Sequence, residues 1–261
     1  MNGTNKMSGS VDKPVILICN DDGIFSPGIR ALAEVADEFG DIEIIAPDRQ
    51  QSAVGHAITV STPLRSRSFQ VDGRFNGQAV TGTPADSVKL AHDQLMKRKP
   101  DLVVSGINHG SNTGISILYS GTVSAATEGT ILGYPSIAIS CTDYDEDADL
   151  SGARDAARRV IGYVLSKGLP KGVTLNLNVP PGPLKGIKWA RQANSRYIEE
   201  FVGRIDPNNK SYYWLTGRLQ LLEEGEDIDV NVIKQGYASL TPIQYDMTAY
   251  SLLKNMEDIE L

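Results

Sequence analysis

The stretch VILICNDDG at residues 15–23 decides the fold of this chain. Its first five residues are apolar and mostly β-branched, which predicts a buried strand from Val15 to Cys19. Residues 28–39 then carry apolar side chains at helical spacing, and Gly40 ends that helix. A buried strand, a polar loop and a helix in this order are typical of the first half of a βαβ unit.

Short apolar runs and helical patterns continue to alternate up to about residue 180. Further strands are predicted at 43–46, 102–105, 136–140 and 174–178, further helices at 85–97, 121–132 and 152–165, and a hairpin excursion at 61–80. Strands that alternate with helices build a mostly parallel sheet. The predicted fold is therefore α/β, with a Rossmann-like, doubly wound sheet.

Beyond residue 183 the pattern changes. It predicts polar strands at 187–190 and 212–222, a turn-rich stretch at 206–210 and a helix from about residue 248. A hairpin and a helix cannot bury much surface by themselves, so we expect a C-terminal oligomerisation arm that packs on a partner subunit or wraps back on the core, and we predict an oligomer. The predicted organisation is a disordered N-terminal extension at 1–13, a Rossmann-like catalytic domain at 14–183, and a C-terminal extension at 184–261 that packs on the core and on partner subunits.

Composition restricts the partners and the compartment. The 261 residues carry a formal net charge of −7, which argues against a nucleic-acid polymer as ligand, because such polymers need clustered Lys and Arg. No run approaches the roughly 18 apolar residues of a membrane span, and residues 1–13 lack the apolar core of a secretory signal. Two cysteines in apolar runs indicate no disulfide framework. We expect a cytoplasmic protein without a membrane partner.

The adjacent carboxylates of Asp21 and Asp22 are the strongest functional signal. They follow the first strand, and ligands of open α/β sheets bind outside the carboxyl ends of strands. Two carboxylates in one cleft repel each other unless a cation neutralises them, and oxygen ligands favour Mg²⁺, Mn²⁺ or Ca²⁺. The alternative is that the pair forms only an N-cap or Asx turn before the helix.

Similar polar loops follow the next two strands and favour the metal hypothesis. Residues 46–55, APDRQQSAVG, contain Ser52, and residues 105–114, SGINHGSNTG, contain Asn108. Both side chains can add a neutral oxygen ligand and leave positions open for water and phosphate.

Two helix starts supply candidate substrate contacts. Ser120-Gly121-Thr122 opens a helix of small residues and predicts an anion pocket made of hydroxyls and free backbone amides, although an ordinary Ser/Thr cap gives the same pattern. Residues 81–86, TGTPAD, either cap the helix that follows or contact the sugar or base of a substrate. His109 adjoins Asn108 and is a candidate acid, while His56 and His92 lack zinc-site spacing.

Several motifs are absent, and this narrows the reaction class. The sequence has no G-x-x-x-x-G-K-[ST] loop, no G-x-S-x-G elbow and no G-x-G-x-x-G after the first strand. These absences disfavour a P-loop ATPase, a serine hydrolase and a dinucleotide-dependent enzyme, respectively.

Taken together, the motifs resemble the SurE family of survival-protein nucleotidases. The matching segments are NDDG at 20–23, PG at 27–28, APDR at 46–49 with Ser52, GTPAD at 82–86, SGIN at 105–108, YSGTV at 119–123 with Glu128-Gly129, DP at 206–207, YW at 213–214 and GYASLTP at 236–242. The resemblance implies a Rossmann-like domain, one divalent Mg²⁺ or Mn²⁺ ion per subunit on Asp21, Asp22, Ser52 and Asn108, and a homodimer or homotetramer built through exchanged C-terminal elements. It also implies hydrolysis of 5′- and 3′-nucleoside monophosphates, and sometimes of short polyphosphate.

The resulting hypothesis is that a metal-activated water attacks phosphorus, with Asp21, Asp22 and Asn108 as catalytic residues. The residues expected to bind phosphate or substrate are Asn20, Gly55, Thr83, Asp86, His109, Gly110, Ser120, Gly121 and Thr122. One rival is direct attack by an aspartate, which normally needs two carboxylates spaced two apart. Other rivals are a nucleotide-binding regulatory module without turnover and a purely structural oligomer.

Overall fold

The structure is a computed structural model that describes residues 13–71, 73–145 and 147–254. Apart from Lys13, the N-terminal extension predicted to be disordered lies outside these residues. Within them no helix is long and apolar enough to cross a bilayer.

A nine-stranded sheet forms the centre of the molecule, in the order β3-β4-β2-β1-β5-β6-β7-β13-β8. The strands of this sheet are β1 Val15–Cys19, β2 Asp41–Pro47, β3 Ser66–Val71, β4 Phe75–Val80, β5 Leu102–His109, β6 Ser136–Cys141, β7 Val173–Val179, β8 Ile187–Trp189 and β13 Ala238–Gln244. The six strands from β4 to β7 in this order are mutually parallel, and β3 and β13 pair antiparallel with β4 and β7. The predicted α/β class with a mostly parallel sheet is confirmed.

Helices cover the sheet in two layers. The helices are α1 Pro27–Ala36, α2 Pro84–Leu90, α3 Gly121–Ile131, α4 Ser151–Lys167, α5 Asp229–Lys234 and α6 Tyr250–Lys254. Of these, α1 packs with α4 and α2 packs with α3. The start of α1 lies so close to β5 that a Cβ atom on Gly28 would be 1.9 Å from the carbonyl oxygen of Ile107. Gly28 therefore lets the helix approach the strand end that carries Asn108.

Two predicted elements are each divided in the structure. The helix predicted at 85–97 is α-helical only to Leu90 and continues as a π-helical turn at Ala91–Leu95, where the amide of Met96 donates to the carbonyl of Ala91. The strand predicted at 212–222 is two strands, β11 Ser211–Leu215 and β12 Arg218–Leu221. Gly217, with φ +104°, separates them.

The C-terminal region contributes both to the sheet and to a separate hairpin. Strand β13, which the sequence pattern did not indicate, lies between β7 and β8. Strand β10 Phe201–Ile205 pairs with β11 in a hairpin, and every residue of these two strands is exposed. Strand β9 Ser195–Ile198 leads into this hairpin. It pairs with β12, which follows the hairpin and returns the chain to the body of the molecule.

Candidate active site

A cleft of about 590 Å³ opens at the carboxyl ends of the parallel strands. It brings together the four predicted metal ligands Asp21, Asp22, Ser52 and Asn108, with three predicted substrate contacts, His109, Gly110 and Ser120. The other lining residues are Phe25, Ser26, Pro27, Gln50, Ala53, Ser111, Asn112, Ser116, Tyr119, Tyr144 and Tyr197. The loops that follow β1 and β2 and the carboxyl end of β5 thus meet in one cleft, at the sheet edge that the sequence predicted.

Asp21 is the most enclosed acid of the cleft, with 6% of its surface exposed. Burial raises its pKa to about 6; the hydrogen bond from the Thr122 hydroxyl to its Oδ1 lowers the pKa, and the neighbouring charge of Asp22 raises it. A Cβ atom on Gly121 would lie 2.7 Å from the Cβ of Asp21, so only glycine fits there. The first turn of α3 therefore seats Asp21.

Asp22 is half-buried and lies between two other loops. The side-chain amide of Gln50 and the backbone amide of His109 donate to its two carboxylate oxygens, each at 3.4 Å. The backbone amide of Gln51 donates to the carbonyl of Asp21 at 2.7 Å. These bonds fix the acidic loop against the ends of β2 and β5.

Asn108 is placed in the cleft by an irregularity in its strand. The pairing of β5 with β6 changes register between Ser105 and Asn108, so Asn108 belongs to the end of β5 and not to a following loop. Its Nδ2 donates to the carbonyl of Gly110 at 2.7 Å. This bond fixes the amide so that Oδ1 is the group left to act as a ligand.

Ser52 is exposed at the edge of the cleft. The next residue, Ala53, has φ +56°, a left-handed conformation that costs energy for a residue with a side chain. The amide of Gly55 donates to the carbonyl of Tyr119 at 3.0 Å, which holds the end of this loop, although Gly55 itself does not line the cleft.

The chemistry of these side chains fits a hard divalent cation. Two carboxylates, an amide oxygen and a hydroxyl share the cleft, and such oxygen donors suit Mg²⁺ or Mn²⁺ better than zinc. Within the described ranges no group of three or more His, Cys, Asp or Glu side chains is suited to a metal. Any ion in this cleft would therefore depend on neutral ligands and water as well as on the two acids.

The three residues predicted to form an anion pocket lie at the start of α3. Ser120 is the N-cap, and its Oγ accepts from the amide of Val123 at 3.0 Å, while the residue also lines the cleft. The Thr122 hydroxyl is fully buried and donates to Asp21. Of the three residues Ser120, Gly121 and Thr122, only Ser120 lies on the cleft wall, whereas the other two support Asp21.

Thr83 and Asp86 form a capping box at the start of α2, and neither lines the cleft. Asp86 also accepts from the backbone amide and the hydroxyl of Thr59, at 2.9 and 2.6 Å, and the Thr83 hydroxyl donates to the carbonyl of Ala57 at 2.7 Å. These bonds tie down the segment that continues from the Ser52 loop. The geometry shows the capping arrangement that the sequence allowed.

Asn20 also lies beneath the cleft. Its Nδ2 donates to the carbonyl of Gly23 at 3.0 Å and to the Ser26 Oγ at 2.8 Å, and it is fully buried. Asn20 therefore shapes the turn that holds Asp21 and Asp22.

The three histidines have different surroundings. His109 lines the cleft, and its Nδ1 lies 2.8 Å from the carbonyl oxygen of Asp145. His56 pairs with Glu128 at 2.8 Å, and the Nδ1 of His92 lies 2.7 Å from the Tyr134 hydroxyl. Of the three histidines, only His109 lines the cleft with Asp21 and Asp22.

Four aromatic cleft residues were not singled out from the sequence. They are Phe25, Tyr119, Tyr144 and Tyr197. Phe25 and Tyr119 adjoin the motifs at 20–23 and 120–122, which was an available signal. Tyr197 comes from β9, and no local pattern could place it beside the motifs of the first half of the chain.

Comparison with known proteins gives consistent results. The family model described as survival protein SurE matches residues 16–199. The protein named 5′-nucleotidase SurE from Cytophaga hutchinsonii is 48% identical over 93% of this chain and 95% of its own length. The protein of the same name from Christiangramia forsetii is 46% identical over 95% of this chain and 98% of its own length.

A solved structure agrees with these matches. The crystal structure of the SurE protein from Aquifex aeolicus is similar with a TM-score of 0.80 and 41% identity, covering 94% of this chain and 98% of that one. The motifs, the fold and the sequence identity extend over nearly the same residues. This chain belongs to the SurE family.

Proposed function

We propose that this protein is a nucleotidase that hydrolyses nucleoside 5′-monophosphates to nucleoside and phosphate in a reaction dependent on Mg²⁺ or Mn²⁺. The proposal extends to 3′-monophosphates and short polyphosphate. The observation that carries it is the meeting of Asp21, Asp22, Ser52 and Asn108 with the Ser120 end of α3 in one cleft. The relatives named 5′-nucleotidase support the choice of substrate.

In this proposal Asp21, Asp22, Ser52 and Asn108 hold the cation. When bound, a divalent ion would supply positive charge for the phosphoryl oxygens and would lower the pKa of a coordinated water. Ser120 lies on the wall where a phosphate would meet the start of α3, and a helix start favours an anion. Thr122 and Gly121 hold Asp21 in a fixed orientation, which removes reorganisation during the reaction.

One of the two acids also serves as the proton acceptor in this proposal. Both Asp21 and Asp22 line the cleft that would hold the attacking water, so either carboxylate is placed to accept its proton. His109 remains the candidate donor to the departing nucleoside, because it is the histidine that lines the cleft.

The test is phosphate release from a panel of 5′- and 3′-nucleoside monophosphates with Mn²⁺, Mg²⁺ or EDTA. Wild type is compared with Asp22→Asn and with Asp155→Asn, an exposed acid on α4 that does not line the cleft. We expect metal-dependent release that Asp22→Asn loses and Asp155→Asn keeps. Nucleotide binding without any release would support a regulatory module instead, and trapped phosphate on Asp21 after acid quench would support direct attack by that residue.

We also propose that the exposed β10–β11 hairpin joins subunits into a homodimer or homotetramer. Phe201, Ile205, Tyr213, Trp214 and Leu215 are each more than 60% exposed. So many large apolar side chains on one hairpin are typical of a surface that is buried in an assembly. Light scattering should give the mass of two or four chains, and Trp214→Glu should lower it.

A further inference from the structure

An aromatic rim surrounds the polar floor of the cleft. It consists of Phe25, Tyr119, Tyr144 and Tyr197, which come from four separate segments of the chain. Single exposed apolar side chains are ordinary on protein surfaces. Four aromatic rings around one acidic cleft are a pattern that packing of the core does not explain, since three of them are more than half exposed.

Neighbouring side chains hold Phe25 and Tyr197 in place. The ring of Phe25 meets that of Phe69 edge to face, with centroids 4.5 Å apart. The hydroxyl of Tyr197 is 2.8 Å from the Ser116 Oγ, and its ring lies 6.4 Å from that of Tyr119. A ring that is fixed before binding loses little freedom when a ligand stacks on it.

Tyr144 has the most exposed ring of the rim, at 74%. The ring lies directly over Gly110, where a Cβ atom would be only 2.4 Å from the ring carbon Cε1. Because Gly110, with φ +105°, has no side chain, the ring of Tyr144 can pack against its backbone. Gly110 lies two residues beyond Asn108, so this exposed ring is close to the proposed metal ligands.

The serine and asparagine side chains near the rim, which could hydrogen-bond to the edge of a base, already have partners within the protein. The Ser111 Oγ pairs with the Thr113 hydroxyl at 2.9 Å, and the Ser116 Oγ pairs with Tyr197. The side-chain amide of Asn112 donates to the Ser140 Oγ at 2.8 Å. The rim therefore offers stacking surfaces, while these serine and asparagine side chains are already paired, a combination that favours recognition of a planar ring over selection of one base.

We infer that the aromatic rim is the nucleobase subsite of the enzyme and that Tyr144 is its principal stacking surface. The inference rests on the proposed nucleotidase function and assigns a role to residues that hold neither phosphate nor metal. A cleft of about 590 Å³ has room for a nucleotide with its phosphate at the carboxylates and its base at the rim. Purine and pyrimidine nucleotides should both be substrates, and larger rings should be preferred by a few-fold.

The test compares kcat/KM for AMP with that for ribose 5-phosphate, the same phosphate ester without a base. Tyr144→Ala should reduce kcat/KM for AMP by about 5- to 150-fold, the range of one lost stacking contact, and should reduce that for ribose 5-phosphate much less. Tyr144→Phe keeps the ring and should keep the wild-type ratio. Tyr163→Ala, an exposed tyrosine on α4 outside the cleft, should change neither substrate.

Gly110→Ala provides a second, independent variant, because its methyl group displaces Tyr144 without removing the ring. It should lower the AMP to ribose 5-phosphate ratio in the same direction. An unchanged ratio in Tyr144→Ala would overturn the inference, and so would equal losses for both substrates.

Binding of adenosine by equilibrium dialysis separates this inference from the proposed function. Adenosine has no phosphate, so its binding does not depend on turnover. If wild type binds adenosine, Tyr144→Ala does not, and no phosphate ester is hydrolysed, the subsite stands and the nucleotidase proposal falls. If AMP and ribose 5-phosphate are hydrolysed equally well by wild type, the phosphatase activity stands and the subsite falls.

Discussion

The hydrogen bond from Thr122 to Asp21 permits a quantitative test of the proposed metal site. Thr122→Val keeps the shape of the side chain and removes the hydroxyl that donates to the carboxylate. Asp21 is 6% exposed, so water cannot easily replace the lost donor. A hydrogen bond to a charged group contributes about 1.5–3 kcal/mol, so its loss would raise the pKa of Asp21 further above its present value of about 6.

The consequence is competition between protons and metal. With a pKa of about 6, Asp21 is mostly ionised at pH 7, whereas a higher pKa without the Thr122 hydroxyl leaves a smaller fraction ionised at that pH. Loss of a group that orients a metal ligand typically costs about 10–100-fold in affinity or activity. We therefore expect Thr122→Val to need at least about 10-fold more Mn²⁺ for half-maximal phosphate release at pH 7.

The assay is a Mn²⁺ titration of phosphate release from AMP at pH 7 and pH 9, with Thr122→Ser as the matched control that keeps the hydroxyl. Part of the defect in Thr122→Val should disappear at pH 9, where Asp21 is ionised in both proteins. A Mn²⁺ requirement within two-fold of wild type at pH 7 would refute the assigned role of Thr122. A defect of equal size at both pH values would refute the protonation argument alone.

Three further predictions concern contacts away from Asp21 and Asp22. Gly28→Ala should lower the free energy of unfolding by about 1–3 kcal/mol or more, because the new methyl group overlaps the backbone oxygen of Ile107; an unchanged thermal midpoint would contradict the close approach. Burial raises the pKa of Glu128, but hydrogen bonds and charge from His56 and Lys89 outweigh it, and the net pKa is lowered. The stability advantage of wild type over Glu128→Gln should therefore be complete above the ordinary value of 4.5 and shrink as the pH falls below it, as denaturant unfolding between pH 3 and 8 can show. Asp86→Asn should reduce stability by about 1–3 kcal/mol through the bonds of Asp86 to Thr59 and the capping box, with little change in KM for AMP; a raised KM with unchanged stability would instead mean that this residue contacts the substrate.

Most strands of the parallel sheet could be expected from the sequence because each of them is a short apolar run followed by a polar loop. Strand β13 could not, since Ser239, Thr241 and Pro242 interrupt the apolar pattern. Its position depends on pairing with β7, which is distant in the sequence. Local patterns carry no information about such a partner.

The candidate site was accessible from the sequence to a similar degree. Loops at the carboxyl ends of neighbouring parallel strands must meet, so topology alone brought Asp21, Ser52 and Asn108 to one edge. The sequence did not show which of these residues line the cleft and which support its ligands. The bond between Thr122 and Asp21 joins residues 101 positions apart, and side-chain type does not reveal whether a hydroxyl faces a ligand or a neighbouring carboxylate.

The late position of β13 in the chain constrains how this protein can fold during synthesis. Residues 180–237 must leave the ribosome after β7 before β13 can pair with it, and β8 is joined to the sheet through β13. Until then β7 is an open edge with unpaired backbone groups, which is a template for association with other chains. The nascent protein therefore passes through a stage in which the β7 edge of its largest sheet is unpaired. Pairing of the seven residues of β13 then covers this edge.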